Sequence, residues 1–187
     1  MYLKIHRKNP VLYLLDGNVH FEGAITLMNY LVRHSQILKM IIVAIPNTNR
    51  MLDLTPTTME VSRDGRRIPE GTNGGGERFT AFLDQELIPY IGKTYPATSH
   101  RTVIGHSLGG LLVINTLIHH PEFFSNYIAI DPSLWWDNQE LLKEATNILK
   151  QKKFDNKSLF LAVANTLREH MDIIRVKQDT SDATTHI

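Results

Sequence analysis

Apolar residues occur along this chain in two patterns, short unbroken runs and longer stretches with helical spacing. The run Val11 to Leu15 is bounded by Pro10 and by the turn-forming Asp16-Gly17-Asn18, which is typical of a strand buried on both faces of a parallel sheet. Similar runs predict further strands at residues 40–45, 102–104, 127–130 and 159–163.

Stretches with helical spacing separate these runs. Between Phe21 and His34 the apolar residues recur every three or four positions, which predicts an amphipathic helix. Further helices are predicted at 79–91, 108–119 and 138–150, and we expect Pro89 to kink or end the first of these. Strands that alternate with helices form a mostly parallel sheet with helices on both faces. The pattern therefore predicts a single α/β domain over residues 1–187.

Residues 47–78 show neither strand nor helix periodicity and are rich in Gly, Pro, Thr and charged residues. Loops of this length are usually functional or mobile. We therefore expect a mobile loop at about 48–77.

Composition excludes several classes of function. The chain has 20 Lys and Arg against 19 Asp and Glu, with no basic block, so neither nucleic acid nor an anionic membrane is expected as a partner. It has no cysteine, which excludes disulfides and thiolate catalysis. No cofactor motif or metal-ligand spacing is visible, so neither a cofactor nor a metal is expected. The first apolar run is too short for a signal peptide or a membrane span, and the compartment stays open between cytoplasmic and exported.

The segment 105–109, Gly-His-Ser-Leu-Gly, matches the G-x-S-x-G pattern of a nucleophile elbow. It lies between a predicted strand and a predicted helix, as that motif requires. The glycines leave room for a strained turn that lifts the Ser107 hydroxyl above the sheet, so we predict Ser107 to be a nucleophile, with a packing turn as the alternative. The backbone N–H groups of Leu108 and Asn18 are the predicted oxyanion donors. His106 should point away from the serine.

Together these motifs resemble the putative esterase family of α/β-hydrolases, which includes siderophore esterases, S-formylglutathione hydrolase and the mycolyl transferases. The resemblance rests on VLYLLDG at 11–17, the loop string from Arg50 to Gly76, GHSLGG at 105–110 and DPSLWW at 131–136. The chain is most similar to the siderophore-esterase branch. The family implies an α/β-hydrolase fold and an acyl-enzyme mechanism, in which a histidine carries the proton of the serine and an acid orients that histidine.

The resemblance also implies roles for residues outside the elbow. Trp135 and Trp136 would wall the substrate pocket, with core packing as the alternative for one of them. Arg50 would meet an anionic group of the substrate, or else would pair with Asp53.

Two members of the implied triad, the acid and the histidine, each have more than one candidate position. The acid is expected at Glu169, with Asp172 or Asp131 as alternatives, and a surface carboxylate or helix cap is the other interpretation of each. Only 24 mostly polar residues follow Val163, so the family's histidine is expected beyond Ile187. The late candidates within the chain are His170 and His186. The family also has two strands before VLYLLDG, so the chain resembles a hydrolase core shortened at both ends.

The predicted function is a serine-dependent carboxylic-ester hydrolase whose substrate is a small-molecule ester, either of the siderophore type or another polar ester. The alternatives are an acyl transferase of the same fold and a non-catalytic binding module that lacks the base. Without the histidine, hydrolysis should fall by about 10⁶-fold, because triad members act as a unit.

Overall fold

Five strands form the centre of the domain. The computed structural model describes residues 8–62 and 64–164. The strands are β1 (Asn9–Leu14), β2 (Ile41–Ala44), β3 (Ala97–His106), β4 (Asn126–Ile130) and β5 (Ser158–Ala162). All neighbouring pairs are parallel, in the order β2-β1-β3-β4-β5. The predicted parallel α/β sheet is therefore confirmed.

Helices connect the strands. They are α1 (Gly17–Arg33), α2 (Arg50–Leu54), α3 (Gly76–Phe82), a π-helical turn (Leu83–Leu87), α4 (Ile88–Thr94), α5 (Leu108–His119) and α6 (Trp136–Gln151). The crossover through α1 and the crossover through α5 run in opposite directions across the sheet. Because such connections are right-handed, the two helices lie on opposite faces. Among the residues that the structure describes, no helix is long and apolar enough to cross a membrane.

The hydrophobic core is centred on α5. All eleven residues from Leu108 to Ile118 are buried, which explains why this helix is apolar on every side rather than on one face. Elsewhere in the core, Tyr13, Phe124 and Tyr127 pack edge to face, with ring centroids 5.5 and 5.8 Å apart. Because every residue from Leu108 to Ile118 is buried, the helix that starts beside Ser107 is held in place by packing.

Two local features differ from the sequence pattern. The helix predicted at 79–91 is interrupted by the π-helical turn just before Pro89, and α4 then continues through that proline. Pro89 sits in the first turn of α4, where its missing N–H costs little. Within 48–77, α2 is an unpredicted helix that starts where the Asn49 side chain accepts a hydrogen bond from Leu52 N at 3.2 Å. Five residues are too few to show a helical period, and the mobility of 48–77 stays a prediction.

Candidate active site

The site lies where the strand order reverses. β1 and β3 are neighbours, and the chain leaves them towards opposite edges of the sheet. Open parallel sheets bind ligands in the crevice outside the strand ends at such a point. Asp16 follows β1 and Ser107 follows β3, so the two turns that carry the predicted chemistry flank this crevice.

Ser107 occupies a strained turn between β3 and α5. Its backbone angles, φ 57° and ψ −116°, lie in a region that residues with a side chain rarely adopt. A Cβ on Gly105 would lie 2.3 Å from the Gly109 carbonyl carbon, and one on Gly110 would lie 3.0 Å from Pro132 Cα. The glycines are therefore required by close backbone approach, as an elbow that exposes a serine demands.

The Ser107 hydroxyl has a partner that the sequence analysis did not identify. Ser107 Oγ lies 3.0 Å from Ser133 Oγ, and Ser133 is only 4% exposed. Ser133 follows β4, the next strand in the sheet. A polar residue one strand end away from a candidate nucleophile is the signal that could have revealed it.

The two predicted oxyanion donors lie in the first turns of helices. Leu108 is the first residue of α5 and Asn18 the second residue of α1, and amides at helix N-termini lack partners within the helix. Around Asn18, the Gly17 amide donates to the Ile45 carbonyl at 2.9 Å and the Val19 amide to the Asp16 carbonyl at 2.9 Å. Within the described ranges the Asn18 amide has no backbone acceptor. Its role as an oxyanion donor stays a prediction.

Arg50 pairs with Asp16 rather than with Asp53. Its Nε donates to Asp16 Oδ1 at 2.8 Å and its Nη2 to Asp16 Oδ2 at 3.0 Å. Asp53 instead accepts hydrogen bonds from the backbone amides of Thr48 at 3.0 Å and Asn49 at 3.1 Å. The alternative of an Arg50–Asp53 pair is thus wrong, because Asp53 stabilises the start of its own short helix α2.

Asp16 and Arg50 join three strand-end turns. The Asn47 side-chain amide also donates to Asp16, and Arg50 Nη2 reaches the His106 carbonyl at 3.4 Å. The turns after β1, β2 and β3 are therefore cross-linked around one buried carboxylate. The Arg50 side chain is still 42% exposed and accessible from solvent. Its contact with a substrate anion stays a prediction.

The two tryptophans have different environments. Trp136 is 4% exposed, packs in the core and donates from Nε1 to the Thr57 carbonyl at 3.0 Å. Trp135 is partly exposed and lines a cavity of about 830 Å³, together with residues 58–62 and 137–139. Of the pair, Trp135 lines the cavity and also packs against the edge of the core, whereas Trp136 matches the core-packing interpretation; the ligand contact of Trp135 stays a prediction.

Residues 137–139 form the other wall of that cavity in an unusual conformation. Asp137, Asn138 and Gln139 have φ angles of 49°, 53° and 65°, a left-handed run of residues that all carry side chains. Each such residue costs roughly 1–2 kcal/mol relative to the right-handed helix. The cavity is thus bounded by strained backbone, which often occurs at ligand sites.

The candidate acid Asp131 caps a neighbouring turn. Its Oδ1 accepts a hydrogen bond from Ala164 N at 3.1 Å, and its own amide donates to the Ala162 carbonyl at 2.6 Å. The other candidates for acid and base, Glu169, Asp172, His170 and His186, lie outside the residues that the structure describes. His106 packs edge-on against His20 of α1, with ring centroids 5.8 Å apart. In the part of the chain that is described, no cluster of three or more His, Asp or Glu could hold a metal ion.

Comparison with known proteins agrees with this geometry. The model of the family described as "Putative esterase" matches residues 1–181. The chain belongs to this family. It is 32% identical to the ferri-bacillibactin esterase BesA of Bacillus subtilis over 177 residues, which cover 86% of this chain and 61% of that protein. It is 33% identical to the siderophore enterobactin esterase of Emericella nidulans, over 73% of this chain and 50% of the relative.

The fold also resembles that of solved family members. An IroE-like serine hydrolase from Shewanella oneidensis superimposes with a TM-score of 0.80 at 37% identity, over 88% of this chain and 53% of the other. The chain therefore spans about half to three fifths of the length of these relatives. Its fold is that of the α/β serine hydrolases.

Proposed function

We propose that this chain is a serine-dependent carboxylic-ester hydrolase that works through an acyl-enzyme at Ser107. The observation that carries the proposal is the elbow itself, in which Ser107 adopts φ 57° and ψ −116° directly before α5. This strain has no evident packing purpose, because glycine would adopt the same backbone without it. Strain held in place by the surrounding fold is a mark of functional sites.

Each step of the proposed reaction uses a defined group. Ser107 Oγ attacks the ester carbonyl carbon and its proton passes to a general base, for which the family implies a histidine. The carbonyl oxygen becomes an oxyanion, which the amides of Leu108 and Asn18 would stabilise. The ester C–O bond breaks, and the leaving alkoxide takes the proton from the base. Water then attacks the acyl-enzyme, which releases the acid and restores the Ser107 hydroxyl.

Siderophore-type or other polar esters are the proposed substrates. The relatives are named siderophore esterases, and the cavity of about 830 Å³ beside Trp135 is large enough for a drug-sized molecule. Trp135 would stack on an aromatic or acyl part of such a molecule. Arg50 would pair with an anionic group of the substrate at the crevice.

A fluorophosphonate probe tests the nucleophile directly. The folded chain should be labelled at Ser107, as located by peptide mass spectrometry, and Ser107→Ala should not be labelled. A folded sample whose Ser107 is not labelled would overturn the proposal and favour the binding module.

Ester turnover then tests whether the general base lies within this chain. Hydrolysis of a chromogenic short-chain ester should stay close to that of Ser107→Ala if the base lies beyond Ile187. Robust turnover that depends on Ser107 would place the base within the chain, and His170→Ala and His186→Ala would identify it.

A further inference from the structure

We propose that Ser133 is a positioning residue for the nucleophile, whose hydroxyl donates a hydrogen bond to Ser107 Oγ. The inference rests on the proposed function, because it concerns how the Ser107 oxygen is held for attack. The two oxygens are 3.0 Å apart, within the range of an O–H···O hydrogen bond.

The backbone of Ser133 is fixed to the elbow. Its amide donates to the Ser107 carbonyl at 3.1 Å, and its own carbonyl accepts from Trp136 N at 3.0 Å. The same Ser107 carbonyl accepts from Leu111 N at 2.9 Å. Ser133 and Ser107 thus share a backbone hydrogen bond as well as a side-chain contact, so the distance between their hydroxyls is set by the fold.

The burial of Ser133 indicates which of the two hydroxyls donates the hydrogen bond. Ser133 is 4% exposed, and within the described ranges Ser107 Oγ is the hydrogen-bond partner of its hydroxyl. A buried hydroxyl proton left without an acceptor is costly. The proton of Ser107 must remain free to pass to a base, so Ser133 donates and Ser107 Oγ accepts.

Two other buried hydroxyls of this domain are satisfied differently. Thr80 Oγ1 donates to the Gly76 carbonyl at 2.8 Å and Thr116 Oγ1 to the Leu112 carbonyl at 2.8 Å. These are local bonds to the helix backbone, which serve the helix alone. Ser133 instead directs its hydroxyl at a side chain 26 residues earlier in the chain, which is the one hydroxyl proposed to react.

The bond has two consequences for the reaction. It restricts Ser107 Oγ to one rotamer, which places the oxygen before the substrate binds. It also stabilises negative charge on Oγ as the acyl-enzyme is hydrolysed and the C–Oγ bond breaks. Ser133 keeps its own proton throughout, so the balance of the reaction is unchanged.

The test compares Ser133→Ala with Ser133→Thr and with a matched control, Thr116→Val. The measurements are the second-order rate constant for fluorophosphonate labelling of Ser107 between pH 6 and 9, and the melting temperature of each variant. Ser133→Ala should be labelled about tenfold more slowly at every pH, a factor that corresponds to about 1.4 kcal/mol. Ser133→Thr keeps the hydroxyl and should recover most of the rate.

The control separates packing from positioning. Thr116→Val removes a buried hydroxyl from α5 without touching Ser107, so it should lower the melting temperature and leave the labelling rate unchanged. If the methyl group of Ser133→Thr prevents folding, Ser133→Cys takes its place, and its weaker donor should give a rate between wild type and Ser133→Ala.

The outcomes distinguish the two proposals. A labelled wild type together with a Ser133→Ala variant of equal rate would overturn the role of Ser133 alone. A Ser133→Thr or Ser133→Cys variant that folds but is no faster than Ser133→Ala would do the same, because the loss would then come from packing. A folded wild type that is not labelled at Ser107 would overturn the proposed function and the role of Ser133 with it.

Discussion

Arg50 contacts both carboxylate oxygens of Asp16, through Nε at 2.8 Å and Nη2 at 3.0 Å. Asp16 is 2% exposed and has a left-handed backbone with φ 52°. Its carboxylate therefore depends on protein donors rather than on water. The pair joins two turns at the crevice, so its contribution to stability and any role in substrate binding can be separated by experiment.

Arg50→Ala should lower the free energy of unfolding by about 2 kcal/mol, a value within the range for a hydrogen bond to a charged group. Because the Arg50 side chain is itself 42% exposed, water replaces part of the lost interaction and limits the loss. Urea denaturation measures the change. Arg66→Ala is the control, because Arg66 pairs with Asp64 at 2.9 Å on the surface, with side chains 85% and 54% exposed, and should leave stability unchanged. Equal stability of Arg50→Ala and wild type would contradict a structural role for the pair.

Gly105→Ala should prevent folding or lower stability by more than about 3 kcal/mol, because its Cβ would lie 2.3 Å from the Gly109 carbonyl group. Gly23→Ala is the matched control. Gly23 lies inside α1, and a Cβ there would have no neighbour within 4 Å, so this change should raise stability by about 0.5–1 kcal/mol. Thermal denaturation of both variants gives the comparison. A Gly105→Ala protein as stable as wild type would show that the elbow tolerates a side chain at this position.

Trp135 and Trp136 are the only two tryptophans of the chain, so each single substitution leaves one fluorescent reporter. Trp136→Phe removes the hydrogen bond to the Thr57 carbonyl and should destabilise the domain by about 1–3 kcal/mol. Trp135→Phe should cost less, about 0.5–1 kcal/mol, because Trp135 is only partly buried where it packs against the core. Acrylamide should quench the remaining tryptophan readily in Trp136→Phe and weakly in Trp135→Phe. The opposite order of quenching would show that Trp136, not Trp135, faces the cavity.

Burial raises the pKa of Tyr127 well above its usual value, and burial also raises the pKa of Tyr13. The folded state therefore holds these protons more tightly than the unfolded state does. Their contribution to stability is complete below pH 10, the pKa of an unfolded tyrosine, and is lost as the pH rises above it. The free energy of unfolding, measured at pH 8 to 11, should fall by up to about 1.4 kcal/mol per pH unit for each such group.

Tyrosine variants test the source of that fall. Tyr127→Phe should reduce the slope above pH 10, and it should also lower stability at pH 8 because it removes the bonds of the hydroxyl to the carbonyls of His120 and Pro121. Tyr90→Phe should change neither quantity, since Tyr90 is 57% exposed. A slope unaffected by Tyr127→Phe would assign the alkaline loss to other groups.

The sequence predicted those parts of the fold that local patterns encode. The apolar run after Pro10 and the helix after Ser107 were predicted because burial on all sides leaves an unbroken apolar stretch. The first half of β3 was missed, since residues 98–101 are polar and none of them is buried. The elbow was predictable because its requirement for glycine is a local steric one.

The contacts within the site were not predictable, because they join residues far apart in the chain. Asp16 and Arg50 are 34 positions apart and Ser107 and Ser133 are 26 positions apart, and only the strand order brings each pair together. Trp135 and Trp136 could not be told apart either, since adjacent residues with the same side chain differ only in the direction that the turn gives them.

The Ser107 carbonyl oxygen limits which residues of the neighbouring turn can be varied in protein engineering. This oxygen accepts hydrogen bonds from the amides of both Leu111 and Ser133. It therefore anchors both the start of α5 and the turn that carries Trp135. A library that aims to change substrate preference can randomise Trp135 and residues 137–139, which line the cavity, without touching that anchor. A library that extends back into residues 131–134 would replace Ser133 and, with it, both hydrogen bonds that this residue makes to Ser107. In this turn, Trp135 and residues 137–139 are thus suited to redesign, whereas residues 131–134 should be left unchanged.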